Sequence, residues 1–158
     1  MSKTLIVEPE QCTTCRLCEL ACSERATGAY RPSRAHIKVD IHVDDAFYFP
    51  MVCLQCEDAA CVDACPTEAL LREPATGAVI VDADLCTACG NCVDACPYGA
   101  MRIWDDLARK CDLCGGDPAC VRICPTDALR YEPQDSWPAE KQTTYADRLR
   151  QLAQENGK

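Results

Sequence analysis

Apolar and polar residues alternate along several short stretches of the chain. Between Ile37 and Val43 every second residue is aliphatic, which is the period of a half-exposed β-strand. The segments TEALLRE, residues 67–73, and AVIVDAD, residues 78–84, flank the turn signal PATG. That arrangement is typical of a β-hairpin. The pattern therefore predicts short strands joined by turns.

The end of the chain, residues 134–158, has a different composition, with no cysteine and many polar residues. A short helix is predicted there by four residues at helical spacing, Tyr145, Leu149, Leu152 and Ala153. Thr143 or Thr144 precedes them as an N-cap. We expect a tail with a short helix that lies either on its own domain or on a partner.

Cysteine changes this picture most, because 16 of the 158 residues are cysteine and only two are histidine. A disulfide-rich secreted protein has such a density, but it needs an export signal. The N-terminal residues MSKTLIVEPEQC contain neither a long apolar segment nor a small-residue cleavage site. We therefore expect a cytoplasmic protein whose thiols bind metal. No run of about 18 apolar residues occurs, so we expect no direct membrane span.

The segment CTACGNCVDACP, Cys86 to Pro97, has the C-x2-C-x2-C-x3-C-P spacing of bacterial ferredoxins. Three of its thiolates converge on one iron–sulfur cube, and the fourth binds the neighbouring cube in two-cluster ferredoxins. Three more quartets use all the other cysteines: Cys12, Cys15, Cys18 and Cys22; Cys53, Cys56, Cys61 and Cys65; Cys111, Cys114, Cys120 and Cys124. Structural zinc and disulfides are the alternatives. Zinc sites usually have two separated ligand pairs, often with histidine, and both histidines lie outside the quartets.

Internal repeats indicate which quartets share clusters. Two gapless pairs occur: LIVEPEQCTTCRLCELAC (5–22) with VIVDADLCTACGNCVDAC (79–96), and CVRICPTDALRYEP (120–133) with CVDACPTEALLREP (61–74). The second and third quartets thus form one contiguous module. The first and fourth form another, closed across the chain ends by pairing a strand near Leu5 to Val7 with one near Leu129 to Tyr131.

The predicted fold class is α+β, with a four-cluster ferredoxin-like domain over residues 1–133. Its inner module covers about residues 53–103, its outer module about 1–22 plus 104–133, and residues 23–52 are an insert. Exchange of fourth cysteines within each module predicts four cubes. Their ligands are Cys12, Cys15, Cys18 and Cys124; Cys22, Cys111, Cys114 and Cys120; Cys53, Cys56, Cys61 and Cys96; and Cys65, Cys86, Cys89 and Cys92.

The order of the quartets, the segment ARKCDLC (108–114) and the segments CPTEAL and CPTDAL resemble one family. It comprises the four-cluster ferredoxin-like subunits of molybdenum or tungsten oxidoreductases, hydrogenases and carbon monoxide dehydrogenases. The resemblance covers about residues 5–133. In that family the first quartet shares clusters with the fourth, and the second with the third. Some members replace one cysteine and hold a three-iron cluster. Because all sixteen positions are cysteine here, the resemblance implies four [4Fe-4S] clusters.

The insert contains the main departures from this pattern. Ser23 stands where a proline follows each of the other quartets, so we expect the chain to run on into the insert. The aromatic run FYFP, residues 47–50, is expected to cover the cluster of Cys53, with an interface patch as the alternative. His36 and His42 are expected to be ordinary strand residues, with a redox or proton role as the alternative.

The sequence contains no catalytic set. No Ser/His/Asp combination, glycine-rich nucleotide loop or C-x3-C-x2-C radical motif occurs, and four thiolates per cluster leave no open iron for a substrate. We therefore expect a one-electron relay without enzymatic activity of its own.

The expected partner is the catalytic subunit of an oxidoreductase, with a tungsten or molybdenum enzyme, in particular an aldehyde oxidoreductase, favoured by the resemblance. A flavin- or NAD-dependent subunit, a ferredoxin or a second copy of the chain would contact the other end of the relay. A free-standing soluble polyferredoxin is the alternative. The formal charge of -9 disfavours nucleic acid, which needs basic patches.

Overall fold

The computed structural model describes residues 3–133 and, in the tail, residues 144, 147, 148 and 151. Between residues 3 and 133 the helices and strands are, in chain order, β1 Lys3–Val7, α1 Leu17–Thr27, β2 Lys38–His42, β3 Phe47–Met51, α2 Ala60–Asp63, β4 Leu70–Arg72, β5 Val79–Val81, α3 Asn91–Ala95, β6 Arg102–Trp104, β7 Leu107–Arg109, α4 Ala119–Ile123 and β8 Leu129–Pro133. Short 3-10 turns lie at Pro9–Gln11, Pro32–Arg34 and Leu113–Gly116. This is a small α+β fold, of the kind found in ferredoxin-like domains.

The strands form antiparallel pairs rather than one sheet. In the described part of the chain the pairs are β1 with β8, β2 with β3, β4 with β5, and β6 with β7. The β4–β5 hairpin lies around the turn signal PATG, as predicted. The predicted pairing of the chain ends is also present, with Leu5 opposite Tyr131 and Val7 opposite Leu129.

Between residues 3 and 133, proline determines where three of the four helices end. Helices α2, α3 and α4 have four or five residues and stop just before a Cys-Pro step. Proline removes a backbone donor and disfavours a helical conformation for the residue before it. Helix α1 has 11 residues and continues through Ser23 to Gly28, whose φ of 71 is accessible to glycine. The chain after the first quartet therefore runs on as helix before it enters the insert.

Buried polar side chains attach the insert to α1. The hydroxyl of Ser23 donates to the carbonyl of Leu20 at 2.9 Å and accepts from the N–H of Arg31 at 3.0 Å. The carboxylate of Glu19 accepts from the N–H of Val39 in β2 at 2.7 Å. Each of these groups is buried, so its hydrogen bonds stabilise the fold by avoiding an unsatisfied polar group.

The β2–β3 hairpin agrees only in part with the alternation from Ile37 to Val43. Ile37 and Val39 are buried, but Ile41 is 44% exposed and Val43 is 72% exposed. The chain turns back after β2, so the outer end of the hairpin projects beyond the core and leaves both aliphatic side chains in solvent. Phe47 and Phe49 of the run FYFP pack into the main core.

The buried residues in the described part of the chain form two clusters. The larger one joins β1, β2, β3 and β8 with thiols of the first and fourth quartets. The smaller one joins β4, β5 and the β6–β7 hairpin with thiols of the second and third quartets. The expected module boundary near residue 103 falls inside the β6–β7 hairpin, whose turn residues Asp105 and Asp106 have φ of 54 and 52.

The predicted helix residues of the tail, Tyr145, Leu149, Leu152 and Ala153, lie outside the described residues. The four residues described there are helical. The guanidinium carbon of Arg148 lies 4.8 Å from the centre of the Phe47 ring, so this part of the tail contacts its own domain. None of the helices in the described ranges is long and apolar enough to cross a bilayer.

Candidate metal centres

All four cysteine quartets begin with the same strained turn. The residue before the second cysteine has a left-handed backbone in each case: Thr14 (φ 58), Gln55 (φ 52), Ala88 (φ 52) and Leu113 (φ 56). For a residue with a Cβ this conformation costs roughly 1–2 kcal/mol. Such strain persists where the surrounding structure enforces it, and it is concentrated at functional sites. The spacing of the cysteines did not reveal these four residues, although their shared position in the motif could have.

The structure brings the sixteen thiols together around four cavities. Site I is lined by Cys12, Cys15, Cys18 and Cys124; site II by Cys22, Cys111, Cys114 and Cys120; site III by Cys53, Cys56, Cys61 and Cys96; and site IV by Cys65, Cys86, Cys89 and Cys92. Each site thus has three cysteines from one quartet and one cysteine from another.

The cavities differ in size. Sites I, II and IV enclose about 20, 30 and 10 Å³. Site III encloses about 430 Å³ and is also lined by Thr4, Tyr98 and Lys110. Of these four cavities, that of site III therefore leaves the most space around its cysteines.

Backbone N–H groups donate to the sulfur atoms at several of these sites. His36 N donates to Cys22 Sγ at 3.2 Å, Ala69 N to Cys65 Sγ at 3.3 Å, and Leu113 N to Cys111 Sγ at 3.4 Å. Thiolates are the ligands that hold [4Fe-4S] clusters, and hydrogen bonds to sulfur are one means by which proteins tune them. Four thiols per cavity with N–H donors to sulfur are a suitable environment for an iron–sulfur group.

Burial raises the pKa of several of the thiols. It raises the pKa of Cys18 to about 12, and the neighbouring Glu19 carboxylate adds to the rise. Burial also raises the pKa of Cys111 and of Cys120 well above the usual range. Cys65 differs: desolvation raises its pKa, but the hydrogen bonds from Thr67, Ala69 and Leu70 together outweigh it and lower the pKa. Metal binding at the buried thiols must therefore displace protons.

Electrostatic contacts between thiols indicate which sites are neighbours. Besides burial and the thiols of its own site, Cys18 of site I raises the pKa of Cys120 in site II. Besides burial, Cys53 of site III raises the pKa of Cys111 in site II. Sites III and IV share helices α2 and α3, which pack against each other. The contacts thus follow the order I, II, III, IV.

The insert lies against sites I and II. Pro50 of the run FYFP lines site I, whereas the described residues around site III include none of this run. Strand β3 pairs with β2 and both strands line site I, while Cys53 packs against the core that contains Phe47 and Phe49. The expectation that the run covers the cluster of Cys53 stays a prediction. His42 ends β2 as expected, but His36 precedes the strand and lines site II.

His36 is in a more constrained environment than an ordinary strand residue. Its ring stacks on Trp104 with the ring centres 5.4 Å apart. Burial lowers its pKa, and its Nε2 has no hydrogen-bond partner among the described residues. The neutral imidazole ring of His36 therefore lines site II and is held in place by Trp104.

Comparisons with known proteins agree with this chemistry. The family described as 4Fe-4S dicluster domain matches residues 44–134, more than half of the chain, and a 4Fe-4S binding domain matches residues 9–28. The polyferredoxin-like subunit of the aliphatic sulfonate oxidoreductase of Pyrococcus furiosus is 43% identical over 116 residues, which cover 72% of this chain and 66% of that protein. The chain thus spans just under two thirds of that relative's length.

A second relative is aligned over more of its length. The electron transport protein HydN of Escherichia coli is 34% identical over 158 aligned positions, covering 82% of this chain and 87% of HydN. Among solved structures, a chain of the BamBC complex of benzoyl coenzyme A reductase has 23% identity and a TM-score of 0.49, covering 82% of this chain and 75% of that chain. That last likeness is too distant to bear on function. The family matches and the sixteen cysteines show that this chain belongs to the 4Fe-4S dicluster domain family, binds multiple [4Fe-4S] clusters and is a ferredoxin-like electron-transfer protein of the kind associated with oxidoreductases.

Proposed function

We propose that this protein is the electron-transfer subunit of an oxidoreductase complex and relays single electrons through four [4Fe-4S] clusters. The observation that carries the proposal is the grouping of all sixteen thiols around four cavities with four thiols each. When bound, the clusters supply one-electron redox chemistry. The residues of the chain hold them, limit their contact with water and set their potentials.

The proposed ligands are the four thiols that line each cavity, with two clusters in each of two modules. Sites III and IV belong to the inner module, and sites I and II to the outer one. Two pairings of elements support this division. Helix α1 packs against α4, which together carry cysteines of sites I and II, and α2 packs against α3, which do the same for sites III and IV. The β4–β5 hairpin has its counterpart in the β1–β8 pair.

The relay role accounts for the chain better than a catalytic role. Each proposed cluster has four thiol ligands, so no iron coordination position remains for a substrate. In this proposal the clusters form a row with sites I and IV at its two ends. One end would then contact the catalytic subunit, and the other a flavin- or NAD-dependent subunit, a ferredoxin or a second copy of the chain.

The catalytic partner that we propose is a tungsten or molybdenum oxidoreductase in the cytoplasm. Sixteen free thiols suit a reducing compartment. The resemblance to subunits of such enzymes favours an aldehyde oxidoreductase, whereas the name of the Pyrococcus relative offers a sulfonate as the other substrate class. The substrate is determined by the catalytic subunit and not by this chain.

Purification from the native source under anaerobic conditions tests the assignment as a subunit. We expect gel filtration to elute the protein with a larger catalytic polypeptide, and metal analysis of that peak to show tungsten or molybdenum. The substrate-reduced catalytic subunit should then bleach the visible absorption of this chain. Elution at the size of the single chain, with reduction by several unrelated enzymes, would support the free-standing polyferredoxin instead.

A further inference from the structure

Lys110 is a cation in the interior of the molecule. Only 4% of the residue is exposed. For comparison, the side chain of Lys38 in β2 is 55% exposed and lies 3.4 Å from the carboxylate of Asp40. An ammonium group that is removed from water costs several kcal/mol unless its surroundings compensate. The environment of Lys110 must therefore contain that compensation.

Neutral oxygens satisfy the hydrogen bonds of Lys110 without neutralising its charge. Its Nζ donates to Gln55 Oε1 at 3.1 Å, to the carbonyl of Cys111 at 2.9 Å and to the carbonyl of Val79. An ammonium group has three N–H donors, so this set is complete. Among the described residues no ion pair involves Lys110. The compensating negative charge has to come from elsewhere.

The position of Lys110 identifies that charge. Lys110 lines site III and directly precedes Cys111 of site II. Gln55, which lies between two cysteines of site III, donates from Nε2 to the carbonyl of Cys111 at 2.9 Å. The Lys110–Gln55 pair is thus a hydrogen-bonded connection between the neighbouring thiol sets of sites II and III. After burial, the charge of Lys110 opposes the rise in the pKa of Cys56, Cys61 and Cys111.

We propose that Lys110 is the counter-charge shared by sites II and III and that it raises the reduction potentials of the clusters bound there. This inference rests on the proposed function and deepens it. Reduction adds one electron to a site and makes or breaks no bond, so the site becomes more negative by one charge. A buried cation stabilises that charge strongly, because little water lies between them to screen it. Lys110 therefore favours the presence of the electron at the two middle positions of the row.

Potentiometric titration of the cluster-loaded protein, followed by EPR spectroscopy, tests this role. Lys110→Met keeps an unbranched side chain that is one heavy atom shorter and removes the charge. We expect the reduction potentials of two of the four clusters to become more negative. The equilibrium constant for reduction of each should fall at least tenfold, which is about 59 mV for a one-electron couple. The other two potentials should change less. Lys38→Met removes the same charge from the surface. We expect this variant to leave all four reduction potentials unchanged, because solvent screens the charge of Lys38.

A second variant keeps the proposal testable if Lys110→Met does not retain its iron. Gln55→Glu leaves Lys110 in place and puts a carboxylate beside its ammonium group, so the same two potentials should again become more negative. Potentials in either fully loaded variant that match those of Lys38→Met would overturn the role of Lys110 alone. A wild-type protein without four reducible clusters would contradict the proposed function as well.

Discussion

Single residues bring the cysteines to their sites through backbone conformation as well as through spacing. The repeated left-handed residue in each quartet, for example Ala88, turns the chain between the first two cysteines. In the third quartet the fourth cysteine, Cys96, follows the short helix α3 and lines site III rather than site IV. A substitution in one quartet is therefore expected to damage one of two different sites, depending on its position.

Two substitutions within the third quartet test this crossing. Cys96→Ala should damage the cluster at site III, and Cys89→Ala the cluster at site IV, because each removes one of four thiolates. EPR spectra of the reduced proteins provide the measurement. Cys96→Ala should match Cys56→Ala, and Cys89→Ala should match Cys65→Ala. If Cys96→Ala and Cys89→Ala lose the same signal, the ligand assignment is wrong.

The buried thiols predict how iron retention depends on pH. The pKa of Cys18 is raised from 9.0 to about 12, so the free thiol keeps its proton throughout the neutral range and iron must displace it. Protons compete more strongly as the pH falls, so iron is lost on acidification. In the metal-free chain, the stability from this neutral thiol is present below pH 9.0 and is lost as the pH rises toward about 12.

Anaerobic incubation with an iron chelator, from about pH 9 down to about pH 5, tests the predicted loss of iron on acidification. We expect retained iron to fall with pH. Sites I and II, which contain Cys18, Cys111 and Cys120, should lose it before site IV, where the pKa of Cys65 is lowered. Retention that stays constant, or increases as the pH falls, would contradict the account.

Strands β1 and β8 pair with each other and so connect the two ends of the proposed four-cluster domain. Leu5, Ile6 and Val7 are all buried, and Arg130 of β8 forms an ion pair with Glu8 at 2.8 Å. The β1–β8 strand pair contributes to the larger core, which contains thiols of sites I and II. Loss of this packing should therefore affect the outer quartets first.

Leu5→Ala tests the role of this strand pair, with Leu71→Ala in β4 as the matched control. Leu5 is 2% exposed and Leu71 is 47% exposed. Truncation of the buried leucine should lower the free energy of unfolding by about 2–5 kcal/mol, whereas the exposed one should change it by about 0.5 kcal/mol or less. Thermal unfolding with iron release as the readout gives both values. Equal effects of the two variants would show that the strand pair does not support the outer sites.

The elements also show what the sequence could and could not predict. The turn signal PATG predicted the β4–β5 pair, and the repeats predicted the β1–β8 pair because it lies at the same distance from its cysteine quartets. They did not predict the buried hydrogen bonds by which Ser23 and Glu19 of α1 hold the insert. Lys110 was also missed, because a lysine is normally exposed and only the packing of Gln55 and Val79 around it creates its site.

On the scale of the whole molecule, Gln55 and Lys110 connect the thiols of site III with Cys111 of site II. In the proposed arrangement this contact joins the inner and outer modules. The formal charge of -9 is a property of the chain before any cluster is bound. Docking to a catalytic subunit with a basic face would be steered by this charge. Structure and cluster binding should also be coupled, because ligand binding supplies folding energy in small metal-binding domains.

Iron and acid-labile sulfide analysis of anaerobically prepared protein tests the central claim most directly. Four cubes in one chain predict about sixteen irons and about sixteen sulfides. Removal of the iron by a chelator should unfold the chain in parallel. About four zinc ions without sulfide, or only about half of the expected iron in a protein whose sixteen thiols are all protected from alkylation, would contradict the account.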